Sequence, residues 1–223
     1  DSLPTSLRSL TIEDDGGLHS FPPNQLQQLT LRRCPFFKSL KNLENVTDLT
    51  FEELKLNSVD GLGWGNRVVR IIRCHHIKSF EGLMDCTSLE IDDCNKFVDS
   101  TGLENVKVLK VRLSSTSIKS IRSLRSVTHL VTYEEILKNR HLTISLTRLR
   151  DLTINYNDLH GDGSLLYLIV FLQDLLRVNR LPRIVILSTC EFMITTKEEL
   201  QTLFEDHNYS YLEGRNSLIF LNN

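Results

Sequence analysis

The sequence predicts an α/β solenoid, with one curved parallel sheet of about eight stacked rungs and a helical C-terminal cap. Three observations carry this. Apolar triplets of the form LxxLxL recur about every 20 residues from Leu7 to Ile154. Inside each triplet the apolar residues alternate with polar ones, which is the period of a half-buried strand. After Asn157 the repeat stops and the apolar spacing becomes helical. Units of this length cannot bury a core alone, but they can by stacking on one another.

The rungs follow in order. The first three hold Leu7, Leu10 and Ile12, then Leu26, Leu29 and Leu31, then Val46, Leu49 and Phe51. A weaker fourth holds Val69 and Ile71, followed by Cys86, Leu89 and Ile91 and by Val106, Leu109 and Val111. The last two hold Val127, Leu130 and Thr132, then Leu149, Leu152 and Ile154. Aligned on Asp15, Cys34, Leu54, Cys74, Cys94, Ser114, Glu135 and Asn157, the repeats are 19, 20, 20, 20, 20, 21 and 22 residues long. The clearest unit turns Ile77, Phe80 and Leu83 inward again on its way back. Twenty residues hold a short strand and an extended or 3₁₀ return, with no room for a long crossover helix.

Residues 1–160 are therefore expected to form the solenoid and 161–223 the cap. In the second part, Ser164 to Arg177 reads as a helix entered through Gly-Asp-Gly-Ser. "RIVILS" reads as a buried strand in which Ile184 and Ile186 supply a further rung. "TTKEELQTLFEDHN" reads as an amphipathic helix behind a threonine cap, and "NSLIFLN" as a final strand. This segment either shields the last rung or forms a small fused module with its own ligand.

With 26 basic and 28 acidic residues, the net charge of -2 supplies no global attraction to nucleic acid or to an anionic membrane. The longest apolar run, Leu165 to Leu172, is too short to span a bilayer. The chain begins at Asp1, and Leu7 already belongs to a repeat, so a piece of a longer protein is expected. Cys34, Cys74 and Cys94 share one place in their repeats, which marks them as small buried thiols rather than a disulfide framework. A reducing, cytoplasmic compartment follows, while sequons at Asn45 and Asn208 keep a secreted location open.

Three units, "LQQLTLRRCPFFKSLKNL", "RVVRIIRCHHIKSFEGL" and "TSLEIDDCNKFVDSTGL", resemble the cysteine-bearing form of the leucine-rich-repeat superfamily. The resemblance covers roughly residues 1 to 160. The stretch "SLRSLTIEDDGGLHSFPPNQLQQLTLRRC" is similar to repeats in plant intracellular immune receptors. The resemblance implies a concave sheet that binds a protein partner, as an immune-receptor sensor or a ubiquitin-ligase adaptor. A structural or autoinhibitory scaffold for a neighbouring catalytic domain is the alternative.

Outward positions of the rungs alternate in sign. They read Glu13 and Asp14, then Arg32 and Arg33, Glu52 and Glu53, Arg70 and Arg73, then Glu90, Asp92 and Asp93, then Lys110 and Arg112. The seventh rung has Tyr133 and Glu134. Stacked strands lie about 4.8 Å apart, so the rows either neutralise one another or form a specificity code for a partner. Past the sixth rung the outward residues become His129, Val131 and Tyr133, then Asp151, Thr153, Asn155 and Tyr156, a composition better suited to a contact site. The candidate partner contacts are Arg70, Arg73, Glu90, Asp92, Lys110, Arg112, His129, Tyr133, Asp151, Asn155 and Tyr156.

No chemistry-bearing constellation emerges. "GDG" and "GLGWG" lack the strand, helix and Lys-Ser/Thr of a phosphate loop. His75 and His76 beside Cys74 do not make the four converging ligands zinc needs. The expectation is a non-enzymatic protein-binding domain without cofactor or metal. Nucleic acid and membrane are not expected partners, and the isolated chain is expected to be monomeric.

Overall fold

A computed structural model describes residues 3–62, 65–94, 100–112, 122–133, 146–156, 164–178, 181–188, 194–214 and 217–223. Its centre is one sheet of eleven strands. Eight five- or six-residue strands come first: β1 Ser9–Glu13, β2 Gln28–Arg32, β3 Asp48–Glu52, β4 Val68–Ile72, β5 Ser88–Asp92, β6 Val108–Arg112, β7 His129–Tyr133 and β8 Asp151–Tyr156. They stack in chain order and all run parallel. Helix α1 (Ser164–Val178) leads to β9 (Arg183–Ser188), which adds in parallel to β8. Helix α2 (Ile194–Glu205) then leads to β10 (Tyr209–Gly214) and β11 (Ser217–Asn222). These two are antiparallel, and β11 lies between β9 and β10. The architecture is thus a parallel-strand solenoid.

The inward rows explain the register. Leu29, Leu49, Val69, Leu89, Leu109, Leu130, Leu152 and Ile184 stand side by side, as do Leu31, Phe51, Ile71, Ile91, Val111, Thr132, Ile154 and Ile186. All are buried. A slip of one residue would turn each row to solvent, so units of 19 to 22 residues keep one pairing and absorb the difference in their returns. Thr132 is the polar member of its row, and its buried Oγ1 has no hydrogen-bond partner among the described residues.

The corner after each strand repeats as faithfully. Asp14, Arg33, Glu53, Arg73 and Asp93 all have φ between 49° and 56°. This left-handed turn aims each amide at the next coil: Asp14 donates to the Arg32 carbonyl, Arg33 to Glu52, Glu53 to Ile72, Arg73 to Asp92 and Asp93 to Arg112, at 2.8–3.0 Å. The next residue falls inward as Cys34, Leu54, Cys74 or Cys94. Each of these thiols bonds the carbonyl two residues earlier in its own strand. Cys74 and Cys94 also reach the preceding strand, at Phe51 and Ile71, 3.6 and 3.5 Å away. A thiol suits this slot because it is small and apolar yet donates weakly to a carbonyl.

Returns are short turns rather than helices, closed by bonds such as Val46 to Leu43, Cys86 to Leu83 and Val106 to Leu103. Only Glu81–Leu83 and Arg122–Ser126 are 3₁₀ among the described residues. The coils pack so closely here that a Cβ on Gly82 would lie 2.0 Å from the Val59 carbonyl oxygen. Buried Asn66 bridges coils by donating to the Leu43 and Val46 carbonyls.

The helical expectation for Ser164 to Arg177 is met by α1, and Ile184 and Ile186 do extend the sheet. Strand β10 was not anticipated, because five of its six residues are exposed and show no alternation. One hydrophobic cluster runs from Phe21 to Phe220, taking in Phe171 of α1 and Phe204 of α2. Phe204 stacks on Phe220 with ring centroids 3.8 Å apart. Expectations that rest on Ser114, Glu134, Glu135 and Asn157, and on the fifth cysteine, Cys190, lie outside the described residues.

Cys34, Cys74, Cys86 and Cys94 are buried free thiols. Burial pushes Cys74 up to about 11 and Cys86 and Cys94 up to about 12, because a thiolate there would lose its hydration. Native protein at pH 8 should therefore react slowly with a thiol reagent at these four positions and rapidly once denatured. In the unfolded chain Cys74, Cys86 and Cys94 ionise near 9. Stability should hold below that pH and fall as pH rises toward 11–12, which a urea titration from pH 8 upward checks.

Candidate recognition surface

Residues between the inward rows project from the other face of the sheet. In the first six coils this face is an ion-pair ladder. Arg33 pairs with both Glu13 and Asp14, and its bond to Asp14 is 2.6 Å. Arg32 reaches Glu52 at 3.0 Å, while Arg73 pairs with Glu52 and, at 2.7 Å, with Glu53. Arg70 bridges Asp48 at 2.5 Å and Glu90 at 3.9 Å, and Lys110 pairs with Glu90. The Arg33 guanidinium holds the Asp14 carboxyl below its usual range, and Asp14 and Glu13 in turn raise Arg33. Hydrogen bonding to Glu53 raises Arg73, and hydrogen bonding to Glu90 raises Lys110.

The alternation in sign is therefore realised as contacts, with a direction. Arg33, Arg73 and Lys110 each reach back to the preceding coil, whereas Arg32 reaches forward. At β6 the ladder thins: Arg112 is 4.0 Å from Asp92 and lies over the Tyr133 ring, 5.3 Å from its centroid.

Beyond β6 the face changes character. His129 Nε2 meets Asp151 Oδ2 at 2.9 Å, and its Nδ1 lies 2.8 Å from Thr128 Oγ1. Asn155 donates its amide to the Thr132 carbonyl at 3.3 Å. Tyr133, Asn155 and Leu187 occupy one row across β7, β8 and β9. Val131, Thr153 and Val185 occupy the next. Leu187 is 37 % exposed.

Ten of the eleven sequence-chosen contacts lie on this face. Arg70, Arg73, Glu90, Asp92, Lys110 and Arg112 belong to the ladder and its end. His129, Tyr133, Asp151 and Asn155 belong to the continuation, where the His129–Asp151 pair is followed by Arg183 in the same row. Tyr156 is a correction: it is 1 % exposed and points into the core. Strand β8 runs one residue longer than its predecessors, so the alternation that buries Leu152 and Ile154 also buries Tyr156. Leu187 was missed because "RIVILS" read as a buried strand. The inward parity of Ile184 and Ile186 already turns Val185 and Leu187 outward.

The opposite side of the solenoid carries a cavity of about 580 Å³, formed by three successive returns and lined by Asp60, Leu62, Glu81, Met84, Asp85 and Glu104 among others. Among the described residues no group of three or more His, Cys, Asp or Glu side chains can hold a metal ion. Cys74 is buried in its coil, so the cysteine–histidine run assembles no centre there. No helix among the described residues is long and apolar enough to cross a membrane. Protein-family models, curated proteins and solved structures were compared with the chain, and none matches it.

If the ladder stabilises the fold, removing Lys110 and Glu90 together should cost less than the sum of the two single changes. A double-mutant cycle of Lys110→Ala and Glu90→Ala should show a coupling of about 0.5 kcal/mol, as befits a pair open to solvent. The coupling should shrink in high salt. Zero coupling at low salt would leave the stripes without a stabilising role.

Proposed function

We propose that this chain is a leucine-rich-repeat recognition module that binds a protein partner without catalysis. Its contact surface is the outward face of the sheet from β6 to β9, with Lys110, Arg112, His129, Tyr133, Asp151, Asn155 and Leu187 as the contacting residues. Arg70, Arg73, Glu90 and Asp92 form the charged border that orients the partner.

The observation that carries this reading is where the ladder of multiply paired acids and cations gives way to the single His129–Asp151 contact. Through β5 the outward acids and cations largely satisfy one another, so a partner would have to break pairs to use them. From β7 onward the surface offers an aromatic ring, a half-buried amide and an exposed leucine on a rigid parallel scaffold. Such groups contribute more to protein binding than solvated charges do. The regular strands hold these side chains at fixed spacing, which limits the entropy lost on association. The superfamily assignment rests on the period and on the recurrent cysteine corner. A receptor sensor or an adaptor within a larger intracellular protein is the role this implies.

The test is capture of partners from lysate of the source tissue, followed by cross-linking. Cross-links should map to the β6–β9 face. Tyr133→Ala with Leu187→Ser should weaken the captured interaction by roughly 30-fold, in line with loss of a central aromatic contact. Arg33→Ala, at the far end of the ladder, should leave it unchanged. Cross-links confined to the return side, or equal loss with both variants, would contradict the assignment.

A further inference from the structure

The cavity on the return side sits in the middle of the solenoid, between β3 and β6. The three returns that form it carry one pattern: Asp60-Gly61-Leu62, Glu81-Gly82-Leu83 and Thr101-Gly102-Leu103. Each leucine is buried. The glycines keep this row free of side chains. For Gly82 and Gly102 the reason is coil packing, since a Cβ on Gly102 would lie 2.3 Å from the Phe80 carbonyl oxygen, as close an approach as at Gly82. Gly61 differs. Its φ is 95°, and a Cβ there would meet nothing within 4 Å. It opens on the cavity, which has a volume of about 580 Å³. That size falls in the range of small-molecule sites.

The cavity has an apolar floor and an acidic rim. Leu62 and the half-exposed Met84 supply the floor, and Asp60, Glu81, Asp85 and Glu104 supply the rim. Four carboxylates thus come from three consecutive coils. On the sheet side Glu13, Glu52, Glu53 and Glu90 each face a cation. Around the cavity none of the four carboxylates has an ion-pair partner among the described residues. Glu104 Oε1 accepts the Gly102 amide at 3.2 Å, which leaves its second oxygen turned to a ligand. Carboxylates gathered over an apolar floor repel one another, and a cation between them relieves the repulsion.

We propose that this cavity binds a linear aliphatic polyamine, laid along the stack of coils. Successive coils are about 4.8 Å apart at the sheet, and three- or four-carbon spacers set ammonium groups at a comparable interval. One ammonium meets Asp60, the next Glu81 and Asp85, and the last Glu104. The methylenes between them cover Leu62 and Met84, as the stem of a lysine covers apolar surface while its head stays charged. A compact inorganic cation would satisfy the rim and leave the floor wet. A neutral apolar ligand would cover the floor and desolvate the acids without a partner. The cavity lies opposite the β6–β9 face, so this inference does not depend on the function proposed above.

Spermidine is the probe. It is titrated into the protein at low ionic strength, with binding followed by calorimetry and by the amide resonances of Gly61, Gly82 and Gly102. Binding should saturate at one equivalent, and the shifts should centre on these three glycines. Glu81→Gln combined with Glu104→Gln should weaken binding about tenfold, as loss of two charge-assisted contacts implies. Met84→Ser should weaken it about threefold. Glu44→Gln should leave it unchanged: Glu44 makes the same local bond, to the Asn42 amide at 3.2 Å, in a return outside the cavity. Circular dichroism checks that each variant is folded, and Asp60→Asn with Asp85→Asn serves should the first pair fail. Equal shifts with magnesium chloride at matched ionic strength would overturn the proposal. So would equal weakening by Glu44→Gln, or tighter binding of a lysine-containing peptide than of spermidine, which would make the cavity a protein contact.

Discussion

The structure depends on one contact repeated along the chain: a left-handed corner amide bonded to the last carbonyl of the next strand. Without it a five-residue parallel strand would have little to fix its start and end against its neighbour. With it, each coil is pinned at the point where the chain leaves the sheet, and the following residue is delivered into the core. A left-handed backbone is unfavourable for residues with a Cβ. It persists here at five acidic or basic residues because the bond and the buried Cys or Leu behind it over-determine the geometry. Those same five positions carry the alternating charges, so the corner also builds the outer ion-pair ladder.

This coupling divides the outward face. Where the corner residues are charged, their side chains lie along the stack and satisfy one another. Glu52, for example, takes both Arg32 from its own edge row and Arg73 from the next corner. Past Arg112 the charges thin to the row of His129, Asp151 and Arg183, and the same regular spacing presents Tyr133, Asn155 and Leu187. A surface suited to recognition therefore arises where self-neutralisation ends.

Most of the solenoid was legible in the sequence because a period-2 pattern repeated at a fixed interval leaves few alternatives. The strand centres, the buried cysteine slot and the sign alternation all follow from it. The left-handed corners did not, since residues such as Arg33 and Glu53 give no hint of positive φ; glycine or asparagine would have. Tyr156 was misplaced because β8 runs one residue longer than its predecessors and keeps the inward parity of Leu152 and Ile154. Strand β10 escaped because the antiparallel end of the sheet follows a different spacing, and β10 is held by β11 on one side only.

The central claim is that the corner amides hold the coils together. Native-state hydrogen exchange of Asp14, Arg33, Glu53, Arg73 and Asp93 tests it most directly. These residues lie at the solvent edge of the sheet, where ordinary loop amides exchange fast. The account predicts protection comparable to that of the strand interiors at Arg33, Glu53 and Arg73, and weaker protection at Asp14 in the half-buried first coil. Exchange of all five at the rates of unstructured loops would contradict it.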